Sequence, residues 1–280
     1  MKTQKRKPFA KKSFGQNFLV DENYVEKIIG ALNPQTGETI VEIGAGRGAL
    51  TRKLIETRAQ IIAIEFDRDL IPILKAEFTG AENFILIEDD ALKLIFGKIT
   101  TGKSKVVANL PYNISTAILQ KLFEQRESFS ELILMLQREV VERMTAEEGT
   151  SERGYLSILV EANAIAEKLF DVPPTAFRPI PKVWSSVLSL KIKDEKMFSS
   201  PEVEKQFWQL VSAGFAQKRK TILNNLRSAP PNLREKFAAN GTLEEILNHA
   251  RIEPRRRAET LTLAEWKALA EIIDGFEAVL

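Results

Sequence analysis

Asn109-Leu110-Pro111-Tyr112 gathers a side-chain amide, a turn-stiffening proline and an aromatic ring into four consecutive residues. An amide oxygen next to a backbone carbonyl can accept hydrogens from an exocyclic amine, and a phenol ring can stack on a flat heterocycle. The tetrapeptide therefore suits a planar ring that bears an amino group. A second constellation lies upstream, where Val41-Glu42-Ile43-Gly44-Ala45-Gly46-Arg47-Gly48-Ala49 ends an apolar run in three glycines and opens an amphipathic stretch. Glycines at such a strand-to-helix turn permit positive φ and let a ligand approach the main chain. Glu65 follows Gly44 by 21 residues, the spacing at which an acid can accept from both ribose hydroxyls. Asp90, with Asp89 beside it, follows the next apolar run and can accept from an adenine amine. Gly44, Gly46 and Ala49 also satisfy the dinucleotide fingerprint with alanine in its third place, so NAD and S-adenosylmethionine compete as ligands of this turn.

Composition removes most other chemistries. The 280 residues contain no cysteine and one histidine, His249, which excludes disulfide frameworks, thiolate nucleophiles, iron–sulfur clusters and cysteine zinc sites. A single imidazole far down the chain cannot supply a catalytic zinc site or a Ser-His-Asp triad, so no metal is expected. No apolar stretch reaches the ~20 residues of a membrane-spanning helix. The first twelve residues hold six Lys/Arg and no acid, and no apolar signal core follows, which points to a cytoplasmic location. Forty basic against 38 acidic residues nearly cancel. The excess sits near the two ends: residues 205–260 hold eleven Lys/Arg against five Asp/Glu, a distribution that attracts phosphate backbones.

The elements that must position these residues follow from apolar periodicity. Short apolar runs at Thr39–Ile43, Ile61–Glu65, Phe84–Ile87, Lys105–Ala108 and Leu132–Leu136 read as buried strands. They alternate with helical patterns at Ala49–Thr57, Asp69–Phe78 and Ser115–Glu124, the signature of a parallel sheet. Gly154–Leu169 reads as helical at its start and strand-like towards Phe170. Pro173, Pro174, Pro179 and Pro181 break regular structure, and Val183–Ile192 alternates like a strand pairing antiparallel at a sheet edge. Beyond about Ser200 the patterns are helical, at Val203–Phe215, Arg219–Leu226 and Leu263–Ile273. The expected organisation is an α/β domain over residues 1–200, with a basic leader over 1–12, and a small all-α domain over 201–280.

Asn109-Leu110-Pro111-Tyr112-Asn113-Ile114-Ser115 resembles the fourth motif of the ribosomal RNA adenine dimethyltransferases. Phe14-Gly15-Gln16-Asn17-Phe18-Leu19 is similar to that family's amino-terminal cofactor motif, and Val41–Gly48 to its glycine loop. Phe177-Arg178-Pro179-Ile180-Pro181-Lys182-Val183-Trp184-Ser185 is similar to its proline-rich target-binding loop. Arg257-Ala258-Glu259-Thr260-Leu261 resembles the carboxyl-terminal domain of the branch that dimethylates two adjacent adenosines near the 3′ end of 16S ribosomal RNA. It argues against the large-subunit methylases.

The resemblance implies a Rossmann-like class I methyltransferase sheet, mostly parallel with an antiparallel edge strand. It implies S-adenosylmethionine as cofactor, contacted by Asn17, Leu19, Gly44, Glu65, Asp90 and Asn109. The catalytic group would be Asn109, Leu110, Pro111 and Tyr112, the Asn109 oxygen and Leu110 carbonyl holding the target amine. Tyr112 and Phe177 would stack on the target base. The implied partner is 16S ribosomal RNA in the small subunit, with a role in subunit biogenesis and no metal, no membrane and a monomeric chain. Lys5, Arg6, Lys7, Lys11 and Lys12, with Lys218-Arg219-Lys220 and Arg255-Arg256-Arg257, could contact phosphates. Trp184, Trp208 and Trp266 are expected in the core and His249 at the surface or in packing. The competing readings are a dehydrogenase, weakened by the absence of histidine from the α/β domain, and a non-enzymatic RNA-binding assembly factor.

Overall fold

The computed structural model describes residues 16–111, 114–195, 197–198 and 200–275. They form two compact units, one drawn from Met1–Val141 and Ile165–Ile192, the other from Glu142–Ala164 and Lys193–Leu280.

The first unit begins with β1 (Phe18–Leu19) and α1 (Glu22–Leu32). Asp21 caps α1 by accepting the Asn23 N–H, Asn33 ends it at φ 44°, and Val25, Ile28 and Leu32 face inward at helical spacing. There follow β2 (Thr39–Ile43), α2 (Ala49–Ile55), β3 (Gln60–Ile64), α3 (Ile71–Glu77), β4 (Phe84–Ile87), β5 (Ser104–Asn109), α4 (Ser115–Glu124) and β6 (Phe129–Gln137). The chain leaves the unit through α5 (Arg138–Met144) and α6 (Tyr155–Asn163), and returns as β7 (Ala164–Val172), β8 (Phe177–Arg178) and β9 (Ser185–Ile192).

Seven strands make one sheet in the order β4-β3-β2-β5-β6-β9-β7, and β1 pairs with β8 in a separate two-stranded sheet. β4, β3, β2, β5 and β6 run parallel, and β9 joins β6 antiparallel. The fold class is thus the mostly parallel sheet with an antiparallel addition that the sequence implies. One detail differs: β9 is not the outermost strand, because β7 pairs beyond it. β7 is exposed or half-buried between its buried ends, Ala164 and Val172, and carries Glu167 and Lys168 at its middle, which suits an edge strand.

Register decides what the sheet presents at its carboxyl end. Ile43 pairs with both Ile64 and Ala108, and Ile64 with Ile87. The next residues, Gly44, Glu65 and Asn109, therefore stand in one row. Strand order reverses between β2 and β5, and open α/β sheets bind ligands in the crevice at that switch point.

The second unit holds α5 from Glu142 onward, α6, α7 (Pro201–Gly214), α8 (Ile222–Arg227), α9 (Pro231–Asn240), α10 (Leu243–His249) and α11 (Leu263–Ile273). Its inclusion of residues 142–164 departs from the boundary at Ser200 that composition suggests. The cause is packing. Ile158 lies in the same apolar core as Phe207, Leu210 and Trp266, the Gly149 N–H donates to the Glu259 carbonyl at 2.8 Å, and Arg153 reaches the Leu261 carbonyl at 3.4 Å. Capping boxes at Thr242/Glu245 and Thr262/Glu265 start α10 and α11.

Gly214 closes α7 against the fully buried Trp266, and a Cβ there would lie 2.2 Å from the indole Cη2. Gly214→Ala is expected to destabilise the protein by about 2–3 kcal/mol through overpacking. Denaturant melts check this, and an unchanged midpoint would show that the indole can shift freely. Among the described residues no helix is long and apolar enough to cross a membrane, and no group of three or more His, Cys, Asp or Glu gathers as a metal site.

Candidate functional site

Two adjoining cavities open at the carboxyl end of the sheet. The smaller, about 80 Å³, is lined by Gln16, Asn17, Phe18, Gly44, Gly46, Glu65, Asn109, Leu110 and Pro111. The larger, about 220 Å³, shares Gln16, Gly44, Glu65, Leu110 and Pro111, and adds Phe66, Asp67, Asp89 and Asp90 among others. Gly44 and Gly46 adopt φ of 74° and 61°. A Cβ at Gly44 would meet nothing within 4 Å, so positive φ alone calls for glycine there; at Gly46 it would also press Phe18 Cδ1 at 3.3 Å.

Glu65 is buried, and its carboxylate organises the turn. Oε2 accepts the Gly46 N–H at 2.8 Å, and Oε1 accepts those of Phe66 at 2.9 Å and Asp67 at 2.8 Å. Burial pushes this carboxyl above its ordinary value, while the three N–H donors pull the other way. A carboxylate offers about four acceptor positions. Three are used by the turn's own N–H groups, which leaves acceptor capacity on Oε2.

Asn109 closes β5. Its Nδ2 donates to the Asn17 carbonyl at 3.1 Å, which makes Oδ1 the acceptor end of the amide. The Leu110 N–H is held by the Met135 carbonyl at 3.2 Å, and its side chain is buried. The same bond from Asn109 fastens the segment before β1 across the cleft, and Gln16 Nε2 donates to Asp67 Oδ2 at 2.9 Å as a second tie. Asp90 Oδ1 caps the turn at Ala91–Lys93 by accepting the Leu92 N–H at 3.0 Å, and Asp89 Oδ1 accepts the Asp90 N–H at 2.7 Å. Both acids line the larger cavity.

Asn17, Gly44, Glu65, Asp90, Asn109, Leu110 and Pro111 thus meet around one cleft. Two expected residues do not join them. Leu19 is buried in the core and lines a different groove, with Phe18 and Val20. Phe177, 1% exposed, packs in that same core opposite Leu19 in the β1·β8 pair, so it presents no face to a target base. The pairing that buries both is a contact between distant segments that the motif does not reveal. Tyr112 lies outside the described residues, as do Phe14, Gly15 and Lys5 to Lys12.

Sequence reasoning also missed Phe66. Its ring is 56% exposed and lines the larger cavity beside Asp89 and Asp90, a flat apolar wall suited to a purine. The signal was its position directly after the strand-ending acid.

Glu42, on β2 below the cleft, is buried and accepts from Thr51 Oγ1 at 2.6 Å. Desolvation pushes its carboxyl up to about 7, the Thr51 bond opposing and the neighbouring Glu65 adding to the rise. Raised in the folded state, this group contributes most stability below its ordinary value of 4.5. That contribution falls as pH rises towards about 7 and levels off above it. Glu42→Gln is expected to flatten the decline, gaining about 2–3 kcal/mol on wild type between pH 4.5 and pH 8. Denaturant titrations at the two pH values check this; parallel profiles for mutant and wild type would contradict it.

The helical unit carries its own basic surface. The Ile222 N–H donates to the Arg256 carbonyl at 2.7 Å, which draws Lys218-Arg219-Lys220 alongside Arg255-Arg256-Arg257. Arg219, Lys220, Arg255 and Arg257 are exposed. Arg256 is instead committed to Glu265 and Thr260.

The model of the family described as ribosomal RNA adenine dimethylase matches residues 9–269. The chain belongs to this family. It is 43% identical over 259 residues to a ribosomal RNA small subunit methyltransferase A of Thiobacillus denitrificans, covering 92% of this chain and 96% of that one. To the protein of the same name from Clostridioides difficile it is 38% identical over 268 residues, covering 94% and 90%. A crystal structure of a dimethyladenosine transferase from Plasmodium falciparum superposes with a TM-score of 0.74 at 27% identity, over 90% of this chain and 95% of that one. The chain is therefore an rRNA adenine dimethyltransferase with a Rossmann-like methyltransferase fold.

Proposed function

We propose that this member of the family transfers methyl groups from S-adenosylmethionine to the exocyclic amines of two adjacent adenosines near the 3′ end of 16S ribosomal RNA, as a step in small-subunit biogenesis. The observation that carries the proposal is the amide of Asn109. Its Nδ2 is committed to the Asn17 carbonyl, so Oδ1 is available to accept from a target amine, in the row of the sheet that also holds Gly44 and Glu65.

The residues around the cleft fit the cofactor. Gly44 and Gly46 leave the main chain open to its methionine part, Glu65 offers Oε2 to a ribose hydroxyl, and Phe66 with Asp90 forms a wall and an acceptor for adenine. Asn17 lies over the same cleft. Bound there, the cofactor supplies a methyl group already activated by its sulfonium.

The work left to the protein is positioning. An adenine amine is a poor nucleophile because its lone pair is delocalised into the ring. Accepting its hydrogens at Asn109 Oδ1 and the Leu110 carbonyl fixes the nitrogen and turns the lone pair out of conjugation. Pro111 stiffens this turn, and Tyr112 serves as the stacking surface for a base taken out of its helical stack. Each transfer would release S-adenosylhomocysteine and one amine proton to solvent; after the first, one hydrogen remains, so the site must accept a methyl in place of one hydrogen bond. Arg219, Lys220, Arg255 and Arg257 provide phosphate contacts from the helical unit. The reading places the protein in the cytoplasm.

The test is to incubate the full chain with labelled S-adenosylmethionine and small subunits that lack the modification, then map the methylated nucleosides. Label in dimethyladenosine at two adjacent positions supports the proposal. Binding to subunits without label transfer overturns it in favour of a non-enzymatic assembly factor.

A further inference from the structure

Three of the eight large apolar side chains exposed among the described residues fall within one five-residue stretch: Ile180 at 59%, Val183 at 37% and Trp184 at 44%. The contrast with the other tryptophans is sharp, since Trp266 is fully buried and Trp208 half-buried. Trp184 is held in place. The Arg138 N–H donates to its carbonyl at 2.9 Å, and the Arg138 guanidinium lies 5.9 Å from its ring centroid. Exposed Arg178 and Lys182 flank it in a loop with no acid from Arg178 to Trp184.

The register locates this ring. Asn109 pairs with Met135 and Met135 with Val187, while Gln137 pairs with Ser185. Two strand spacings across and three residues along put the Trp184 backbone roughly 14 Å from that of Asn109, beyond the carboxyl end of the parallel strands. That is within reach of a neighbouring nucleotide on an extended strand whose target base sits at Asn109. An exposed indole backed by a guanidinium, with further cations and no acid in its loop, matches the stacking-plus-phosphate chemistry of single-stranded nucleic acid.

We propose that Trp184, supported by Arg138, is a stacking shelf for an unpaired base flanking the methylated adenosine, with Arg178 and Lys182 at the adjoining phosphates. The inference rests on the rRNA-methylating reading and specifies how that site holds its RNA beyond the target base.

Trp184→Ala and Trp184→Phe, made in the full chain, test it. Trp184→Ala is expected to raise KM for unmodified small subunits about tenfold. Turnover at saturation and affinity for S-adenosylmethionine should stay within about twofold of wild type, because the ring touches neither reacting centre. Trp184→Phe, which keeps an aromatic face, should recover most of the loss. A single-stranded oligoribonucleotide containing two adjacent adenosines should quench wild-type tryptophan fluorescence more than that of Trp184→Phe. An unchanged KM in Trp184→Ala, or a loss that phenylalanine does not rescue, overturns the shelf while leaving methyl transfer by the wild type intact. Failure of the wild type itself to methylate subunits would strike the functional reading, and the oligoribonucleotide titration would still report on Trp184 separately.

Discussion

Asn109→Ala lowers the turnover of methyl transfer by about 10²–10³-fold, the range found when one preorganised polar group at a reacting centre is deleted. The substitution removes Oδ1, the acceptor that holds the target amine. It also removes the Nδ2 bond to the Asn17 carbonyl, but Gln16 still ties the same segment to Asp67. Affinity for S-adenosylmethionine should therefore fall by no more than about threefold, or about 0.6 kcal/mol, near the lower end of what one neutral hydrogen bond contributes. Single-turnover rates with saturating subunits, set beside equilibrium binding of the cofactor, separate the two effects. Equal losses in both would assign Asn109 to cofactor binding and leave the amine without its proposed acceptor.

Glu65→Gln is expected to act on the other side of the cleft. Replacing one carboxylate oxygen by an NH2 group sets a donor against a main-chain N–H of Gly46, or against those of Phe66 and Asp67. The turn that presents Gly46 loses its anchor, and the ribose loses a charged acceptor. Hydrogen bonds to charged groups contribute about 1.5–3 kcal/mol each, so cofactor affinity should weaken by about 10²-fold or more. Isothermal titration with S-adenosylmethionine measures this directly. The turnover of the residual complex at saturating cofactor should change far less, since Glu65 touches no reacting atom. A variant that binds the cofactor as wild type does would show that the carboxylate neither holds the ribose nor sets the turn for binding.

Much of this site is legible in the sequence. Thr39–Ile43, Phe84–Ile87 and Ser115–Glu124 appear in the structure with the bounds that apolar runs and turn residues suggest, because parallel strands read as short apolar runs set off by polar connections and the helix as an amphipathic period between them. The row of Gly44, Glu65 and Asn109 follows from those strands being in register. What escaped depends on contacts between distant segments. β7, read in the sequence only as strand-like towards Phe170, is an exposed edge strand with no clean alternation, α1 carries its signal in the Asp21 cap and three spaced apolar residues, and residues 142–164 join the helical unit through Ile158 and Arg153 rather than through any shift in composition. Phe177 sits in a motif that suggests an exposed aromatic, yet the pairing of β8 with β1 turns it into core. Trp184 went the opposite way, expected in the core and found exposed. Phe66 carries one signal in the sequence, its place directly after the strand-ending Glu65, and the cavity there gives that place its meaning.

The most direct measurement is a crystal structure of the full chain with S-adenosylhomocysteine and adenosine bound together. The adenosine amine should lie about 2.7–3.2 Å from both Asn109 Oδ1 and the Leu110 carbonyl oxygen, with its nitrogen facing the cofactor's sulfur along the line of displacement. An amine directed away from Asn109, or a base that cannot enter because the segment from Gln16 to Phe18 fills the approach, would contradict it.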